Sequence, residues 1–339
     1  MTDRPYIIAE IGANHNGDMD LAKQMIDSAA ECGCDAAKFQ SWTPNSLISS
    51  AEYSANQKYN DSPKKHFGSL KEMVDKYYLR EDQHFELNQY CKQIGITFCS
   101  TPFSDREVAI LVECDVPFIK VASMDITNPI LLQTVARTKK PVILSTGMAT
   151  LGEIESAVKI LENNGSAEIT LLHCISIYPP EYEDINLKNI EMLKSVFGLP
   201  VGLSDHSIGT AIPLAAIAMG ATIIEKHFTL DKNLEGWDHD ISADPAEMRS
   251  LVREGQNVFK ALGSNRRTLS EAEKNKKLKF RRSLVSATSL REGHIVTLAD
   301  LDLKRPGTGI PSERIFDYVG KVLAYDIEAD ILLKDEHFR

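Results

Sequence analysis

Tyr-Ile-Ile-Ala-Glu-Ile-Gly-Ala-Asn-His-Asn-Gly, residues Tyr6–Gly17, is the stretch on which the fold turns. It opens with β-branched and small apolar residues, which read as a buried strand, and closes on polar and glycine punctuation. Two α/β architectures begin this way. A doubly wound dinucleotide-binding sheet follows its first strand with Gly-x-Gly-x-x-Gly, because the phosphates need close approach to bare backbone. Gly-Ala-Asn-His-Asn-Gly (Gly12–Gly17) lacks that spacing, so the reading moves to a closed (β/α)8 barrel if enough strand–helix units follow.

They do. Further strands are expected at Asp35–Gln40, Ile96–Thr101, Phe118–Ala122, Pro141–Thr146, Glu168–Cys174, Pro200–Ser204 and Ala221–His227, making eight with Tyr6–Ile11. Between them run amphipathic segments such as Leu21–Glu31, Glu81–Gln93, Glu107–Glu113, Leu151–Asn163 and Ile208–Met219. Gly33, Gly95, Gly165 and Gly220 stand where helices end. Eight such units in about 250 residues fit a closed barrel, a TIM barrel, whose parallel strands are joined by right-handed crossovers.

Two stretches break the rhythm. Ser41 to about Ser69 is a long polar loop on the βα side, expected to act as a lid. Beyond Gly263 the helical period stops. Residues 1–262 are assigned to the barrel, 263–282 to a linker and 283–339 to a small β-rich domain.

The bulk numbers narrow the function classes. A net charge of −10 argues against a general nucleic-acid binder, which needs a basic footprint. No apolar run approaches the roughly 20 residues of a membrane span, and the start reaches an acidic residue too soon for a signal peptide. Six scattered cysteines without a CxxC pair read as buried free thiols, so a cytoplasmic protein is expected.

A barrel places its chemistry where the strands end. Those ends carry Glu10, Lys38, Gln40, Ser100, Thr101, Lys120, Ser123, Ser145, Thr146, His173, Ser176, Tyr178, Ser204, Asp205, His206, Glu225, Lys226 and His227. Two lysines among hydroxyls and glycine turns suit a phosphate and a carboxylate. His206 and His227 end neighbouring strands. Two imidazoles with oxygen donors nearby suit Mn2+ or a similar ion better than structural zinc, and such an ion can polarise an aldehyde oxygen. Glu10 and Glu225 are the carboxylates placed to act as base or substrate anchor. Any one of these residues alone has an ordinary structural explanation. His173, in an apolar run, reads as a hydrogen-bonded core residue that positions the loop after its strand.

The ordered motifs Ala-Glu-Ile-Gly-Ala-Asn-His-Asn-Gly (Ala9–Gly17), Ala-Lys-Phe-Gln (Ala37–Gln40), Ser-Thr-Pro-Phe (Ser100–Phe103), Ser-Thr-Gly-Met (Ser145–Met148), Gly-Leu-Ser-Asp-His (Gly202–His206), Glu-Lys-His-Phe (Glu225–Phe228) and Lys-Arg-Pro-Gly-Thr-Gly (Lys304–Gly309) together resemble the sialic acid synthase family. The resemblance spans nearly the whole chain. It implies a (β/α)8 barrel followed by an antifreeze-like (SAF, β-clip) domain. It also implies a nonulosonic acid synthase, which condenses phosphoenolpyruvate with an N-acetylated hexosamine to give a nine-carbon 2-keto acid and phosphate. By the same resemblance His206 and His227 hold a divalent ion, usually Mn2+. Lys38, Thr101, Lys120, Ser123, Ser145, Ser176 and Ser204 bind phosphoenolpyruvate, and Glu10, Gln40, Tyr178 and Asp238 bind the sugar. Arg305 reaches the sugar from the partner chain of a domain-swapped homodimer.

Ser176 stands where the neuraminate-type pattern often has Asn, and Gly236-Trp237-Asp238-His239 carries Trp in place of the family's Pro. Asp238 favours the neuraminic or legionaminic branch over the pseudaminic one. Two rival readings remain. A class I aldolase on the same barrel would use Lys38 or Lys120 as a Schiff-base nucleophile. An ice- or polymer-binding C-terminal module is disfavoured, because Arg281, Arg282, Lys304 and Arg305 make a poor apolar face.

Overall fold

The computed structural model describes residues 4–58 and 68–339, and the chain divides into two compact units, Met1–Gly263 and Ser264–Arg339. In the first unit the described strands are β1 (Tyr6–Gly12), β2 (Ala36–Ser41), β3 (Thr97–Pro102), β4 (Ile119–Val121), β5 (Val142–Ser145), β6 (Ile169–Cys174), β7 (Val201–Asp205) and β8 (Ile223–His227). They pair in parallel in the order β3-β2-β1-β8-β7-β6-β5-β4. β3 and β4, the two ends of that order, pack side by side. The sheet is rolled into the expected (β/α)8 barrel.

Side-chain alternation then sorts every strand residue into one of two environments. Ile8, Ala36, Cys99, Phe118, Ile143 and Leu172 gather in one apolar cluster inside the barrel. Two residues further along their strands come Glu10, Lys38, Thr101, Lys120, Ser145 and Cys174, all buried. The intervening residues, among them Ala9, Phe39, Phe98, Val121, Leu144, Leu203 and Ile224, join the larger core between strands and helices. Apolar burial of that kind contributes roughly 25 cal/mol per Å2, so this core holds up the polar ring.

Local sequence sets the helix boundaries. Asp18, Thr150 and Asp244 accept hydrogen bonds from the first-turn amides of helices Met19–Glu31, Leu151–Asn163 and Pro245–Leu262. Gly95 ends Glu81–Ile94 in the left-handed conformation expected of a C-terminal glycine, φ 87°.

Two expectations are corrected. The stretch Ser41–Ser69 is not one irregular loop. Its described part holds helices Pro44–Leu47 and Ser50–Ala55, capped by Thr43 and Ser49, and Ser69 itself caps Leu70–Tyr77. Residues 59–67 lie outside the described residues. Trp42, Tyr53, Leu70, Met73, Val74 and Tyr77 form an apolar cluster of their own with Ala13, so the polar residues read as loop are in part helix caps. The second correction concerns the 263–282 linker, which contains helix Glu271–Phe280, opened by a Ser270–Glu273 capping box. None of its residues is buried, so it lacks the apolar stripe by which a helix is read.

The C-terminal unit pairs β9 (Ser283–Ser286) with β10 (Leu301–Lys304) in an antiparallel hairpin. Isolated bridges add Val285 to Leu332, Leu290 to Ile327 and Ile295 to Val322. Leu284, Val296, Ile310, Tyr318, Leu323 and Leu333 are among the residues of its own core. All six cysteines are free and buried. No helix among the described residues is long and apolar enough to cross a membrane.

Candidate active site

The inward ring of polar side chains is a charge network. Lys38 Nζ stands 2.7 Å from Glu10 Oε2, 3.0 Å from Thr101 Oγ1 and 3.7 Å from Glu225 Oε2. Lys120 Nζ lies 3.6 Å from Glu225 Oε1, which also accepts the Ser204 hydroxyl at 2.9 Å. Gln40 Nε2 donates to Glu10 Oε1 at 2.8 Å. Lys38 and Lys120 are only 2% and 3% exposed. Burying four charges is costly unless each meets an opposite, and the alternation of acid and base around the ring meets that need.

The two carboxyls are driven apart. Burial pushes Glu10 above the ordinary carboxylate range, and the Glu225 charge adds to this, against the pull of Lys38. Burial acts the same way on Glu225, but Lys120, Lys38 and Ser204 outweigh it and hold that carboxyl below its usual value. Lys38 is opposed by burial yet raised by Glu10 and Glu225. Lys120 is lowered, mainly by burial, with Lys38 adding to the effect and Glu225 resisting it. The two shifts run in opposite directions, so Glu225 is the more readily ionised carboxyl of the pair.

One inward position beyond Ser204 and Glu225 come His206 and His227, with ring centroids 5.4 Å apart. Tyr178 lies over His206 at 4.0 Å and edge-on to His227 at 5.9 Å. His206 Nδ1 is 2.7 Å from the Ile175 carbonyl. A carbonyl only accepts, so that nitrogen carries the proton and Nε2 is left as the donor atom for an ion. His227 Nδ1 is buried without a hydrogen bond, 3.6 Å from Asp238 Oδ2. Burial and the surrounding cations hold His227 well below the ordinary imidazole value, hence neutral. Among the described residues no three His, Cys, Asp or Glu side chains form a ready metal cage. Burial opposes charge on His206, but the Cys174 thiol, the Ile175 carbonyl and Asp205 outweigh it and raise that imidazole above its usual value. Two converging imidazoles, one of them with an orphaned nitrogen, fit an ion that completes its shell from substrate and water.

A hydroxyl cradle sits on the β4–β6 side. Gly147 N donates to Ser123 Oγ at 3.0 Å. A Cβ at Gly147 would lie 2.4 Å from Ser176 Oγ and 2.8 Å from Ser123 Oγ, so only glycine leaves this space open. Ser145 Oγ, nearby on β5, is buried with no partner.

A model described as the NeuB family matches residues 25–267, and one described as the SAF domain matches 281–339. The chain belongs to the NeuB family. It is accordingly an enzyme of the synthase class, and the family resemblance carried by the motifs is borne out. Among its relatives, N,N'-diacetyllegionaminic acid synthase of Campylobacter jejuni is 41% identical over 98% of this chain and 99% of that protein. Human N-acetylneuraminate-9-phosphate synthase is 38% identical over 98% of this chain and 92% of its own length. The crystal structure of N-acetylneuraminic acid (sialic acid) synthetase from Leptospira borgpetersenii, in complex with citrate, superposes with a TM-score of 0.71. That structure is 37% identical and covers 80% of this chain and 90% of its own.

Within the NeuB-family barrel, Glu10, Gln40, Lys38, Thr101, Lys120, Ser204 and Glu225 are joined in the charge network, Ser123 and Ser176 flank Gly147, and Tyr178 and Asp238 approach the histidine pair. Arg305 belongs to the other unit, where its guanidinium stacks 4.8 Å from the Phe280 ring centroid. Several strand-end residues face elsewhere. Lys226 and Asp205 bond each other at 2.6 Å, Ser100 bonds Ser41 at 2.6 Å, and His173 Nε2 holds the Ile185 carbonyl at 2.6 Å, the structural role expected of it. Cys174 was read only as a buried thiol, yet its Sγ comes within 4.0 Å of His206 Nδ1. Strand alternation carries the signal for it, since Cys174 is two residues on from inward-facing Leu172.

Proposed function

We propose that the chain is a nonulosonic acid synthase of the neuraminic or legionaminic type. It joins phosphoenolpyruvate to N-acetylmannosamine or 2,4-diacetamido-2,4,6-trideoxymannose, giving a nine-carbon 2-keto sugar acid and phosphate. The observation that carries this reading is the buried ring of Lys38 and Lys120 between Glu10 and Glu225, one layer inside the His206–His227 pair. Such a ring offers paired positive charge to a small, multiply anionic substrate.

In this reading Lys38, Lys120, Thr101, Ser204 and the Ser123–Ser145–Ser176 cradle hold phosphoenolpyruvate. His206 and His227 hold a divalent ion, Mn2+ suiting two imidazoles with oxygen donors; when bound, it supplies Lewis-acid polarisation of the sugar aldehyde. Glu10, Gln40, Tyr178 and Asp238 orient the open-chain sugar so that its carbonyl carbon faces C3 of phosphoenolpyruvate. The enol C3 forms the new C–C bond as the aldehyde π pair moves onto its oxygen, which takes up a proton to become a hydroxyl, and the cation that develops at C2 is met by water. Glu225, held ionised, accepts the proton of that water. The tetrahedral carbon then expels phosphate through its C–O bond, while the two lysines neutralise the departing charge. In this reading Arg305 serves the sugar bound in the partner copy of a domain-swapped homodimer.

Phosphate release from phosphoenolpyruvate tests the proposal. The assay uses N-acetylmannosamine, the diacetamido-trideoxymannose and its altrose counterpart, the pseudaminic-type precursor. Release should require one of the two mannose-type sugars, vanish with EDTA and return with Mn2+. Preference for the altrose compound would move the chain to the pseudaminic branch. The lowered pKa of buried Lys120 also favours a second reading, a Schiff-base aldolase. Irreversible inactivation by borohydride plus keto acid, with activity indifferent to EDTA, would select it.

A further inference from the structure

The loop that leaves β8 carries Gly236, Trp237 and Asp238, and its backbone is anchored to the barrel. Asn16 Nδ2 donates to the Glu235 carbonyl at 2.6 Å. The Ser242 hydroxyl donates to the Asp238 carbonyl at 2.6 Å while accepting the Asn14 amide at 2.9 Å. A Cβ at Gly236 would come within 2.3 Å of the His239 ring and 2.7 Å of Asn16 Oδ1, so bare backbone here packs closely against His239 of the same loop and Asn16 after β1.

Trp237 adds a second anchor. Its indole is edge-on to Trp42, with centroids 6.2 Å apart and planes at 78°. Trp42 is buried and edge-on in turn to Phe103, at 6.2 Å and 70°. Both indoles pack in the cluster of Tyr53, Leu70, Met73, Val74 and Tyr77. This cluster is the core of the cap built on helices Pro44–Leu47, Ser50–Ala55 and Leu70–Tyr77. The next residue after Trp237 is Asp238, whose carboxylate stands 3.6 Å from His227 Nδ1.

We propose that Trp237 is a positioning residue: through its contact with Trp42 the cap fixes where the Asp238 carboxylate stands, and so sets affinity for the acetylated sugar. The proposal rests on the reading of Asp238 as a sugar contact. An aromatic pair transmits position well, because each ring has two torsions and a preferred edge-to-face geometry. Phosphoenolpyruvate binding should be insulated from it. Lys38 is tied to Glu10 and Thr101 inside the barrel, and Lys120 to Glu225, and none of these belongs to the cap cluster.

Steady-state kinetics and amide hydrogen exchange on the full chain test this, with variants W42A, W237A, W237F and the double alanine. Each single alanine should raise the sugar KM by about 3- to 10-fold, the range an aromatic pair supports. The phosphoenolpyruvate KM and kcat should stay near their starting values. W237F, which keeps an aromatic edge, should restore most of the affinity. The double variant should be no worse than either single one, because both remove one contact. W42A should also speed exchange in residues 231–242, across the contact from the substitution. Additive single effects, a parallel rise of both KM values, or unchanged exchange at 231–242 would overturn the proposal. A failed synthase reading shows itself differently, as no phosphate release from the unaltered chain with any sugar. The exchange result then still decides whether the bridge exists.

Discussion

At the scale of single residues, Gly147 is where the smallest change should have the clearest kinetic signature. Its amide is donated to Ser123, and the space its Cβ would fill is bounded by the Ser123 and Ser176 hydroxyls. Those hydroxyls are ends of short, rotatable side chains, so Gly147→Ala should fold and turn them out of the cradle. Losing one or two hydrogen bonds to an anionic substrate predicts a phosphoenolpyruvate KM raised by roughly 10-fold. The sugar KM should change little, and thermal melting should shift only slightly. An unchanged phosphoenolpyruvate KM in G147A would remove the cradle from the binding site. The glycine was visible in Ser-Thr-Gly-Met as part of a motif; its reason was not. That reason lies in two hydroxyls from other segments, which converge only when β4, β5 and β6 are side by side.

At the scale of elements, the strands were readable because each is a short β-branched run between helices. Their inward residues then followed from period-two alternation. Alternation also sorts Glu225-Lys226-His227: Glu225 and His227 enter the barrel, while Lys226 faces away and pairs with Asp205. The cap was not readable as structure, since its helices are short and its core is assembled from Trp42, Tyr53 and Tyr77, far apart in the chain. His15 sits in the turn between β1 and helix Met19–Glu31, 1% exposed. Its Nδ1 accepts the Gly17 amide at 3.1 Å. Burial pulls its pKa down to about 4, with Asp18 opposing and His84 assisting. The unfolded chain therefore binds a proton below about pH 6.5 that the fold resists. Stability contributed by neutral His15 is complete above that value and is lost as pH falls toward 4. The loss reaches about 3 kcal/mol by linkage. Urea midpoints measured from pH 7 to 4 should fall more steeply for the unaltered chain than for His15→Phe, which cannot titrate. Parallel curves would show that His15 is protonated freely in the fold.

At the scale of the whole molecule, the division between the two units was legible as a loss of helical period, whereas helix Glu271–Phe280 was hidden by its lack of an apolar stripe. That helix gives Arg305 a local platform. Phe280 lies under the guanidinium, and the Gly307 amide donates to the Leu278 carbonyl at 2.8 Å. Arg305 is exposed, and a guanidinium stacked by one face keeps its donor edge for a ligand. If that ligand is sugar in a partner's barrel, two inactive variants should rescue each other. R305A retains His227, and H227A retains Arg305. In a mixed dimer acting in trans, one of the two sites unites an intact barrel with an intact arginine. Random reassortment makes half the dimers mixed, so activity should recover to about a quarter of the unaltered level. Refolding the variants together and assaying phosphate release measures it, with light scattering to establish the dimer. Recovery should rise with the mixed fraction and be absent when the variants are combined without exchange of subunits. A fully exchanged dimer that stays inactive would confine Arg305 to its own chain, and each barrel would then have to be complete without its partner.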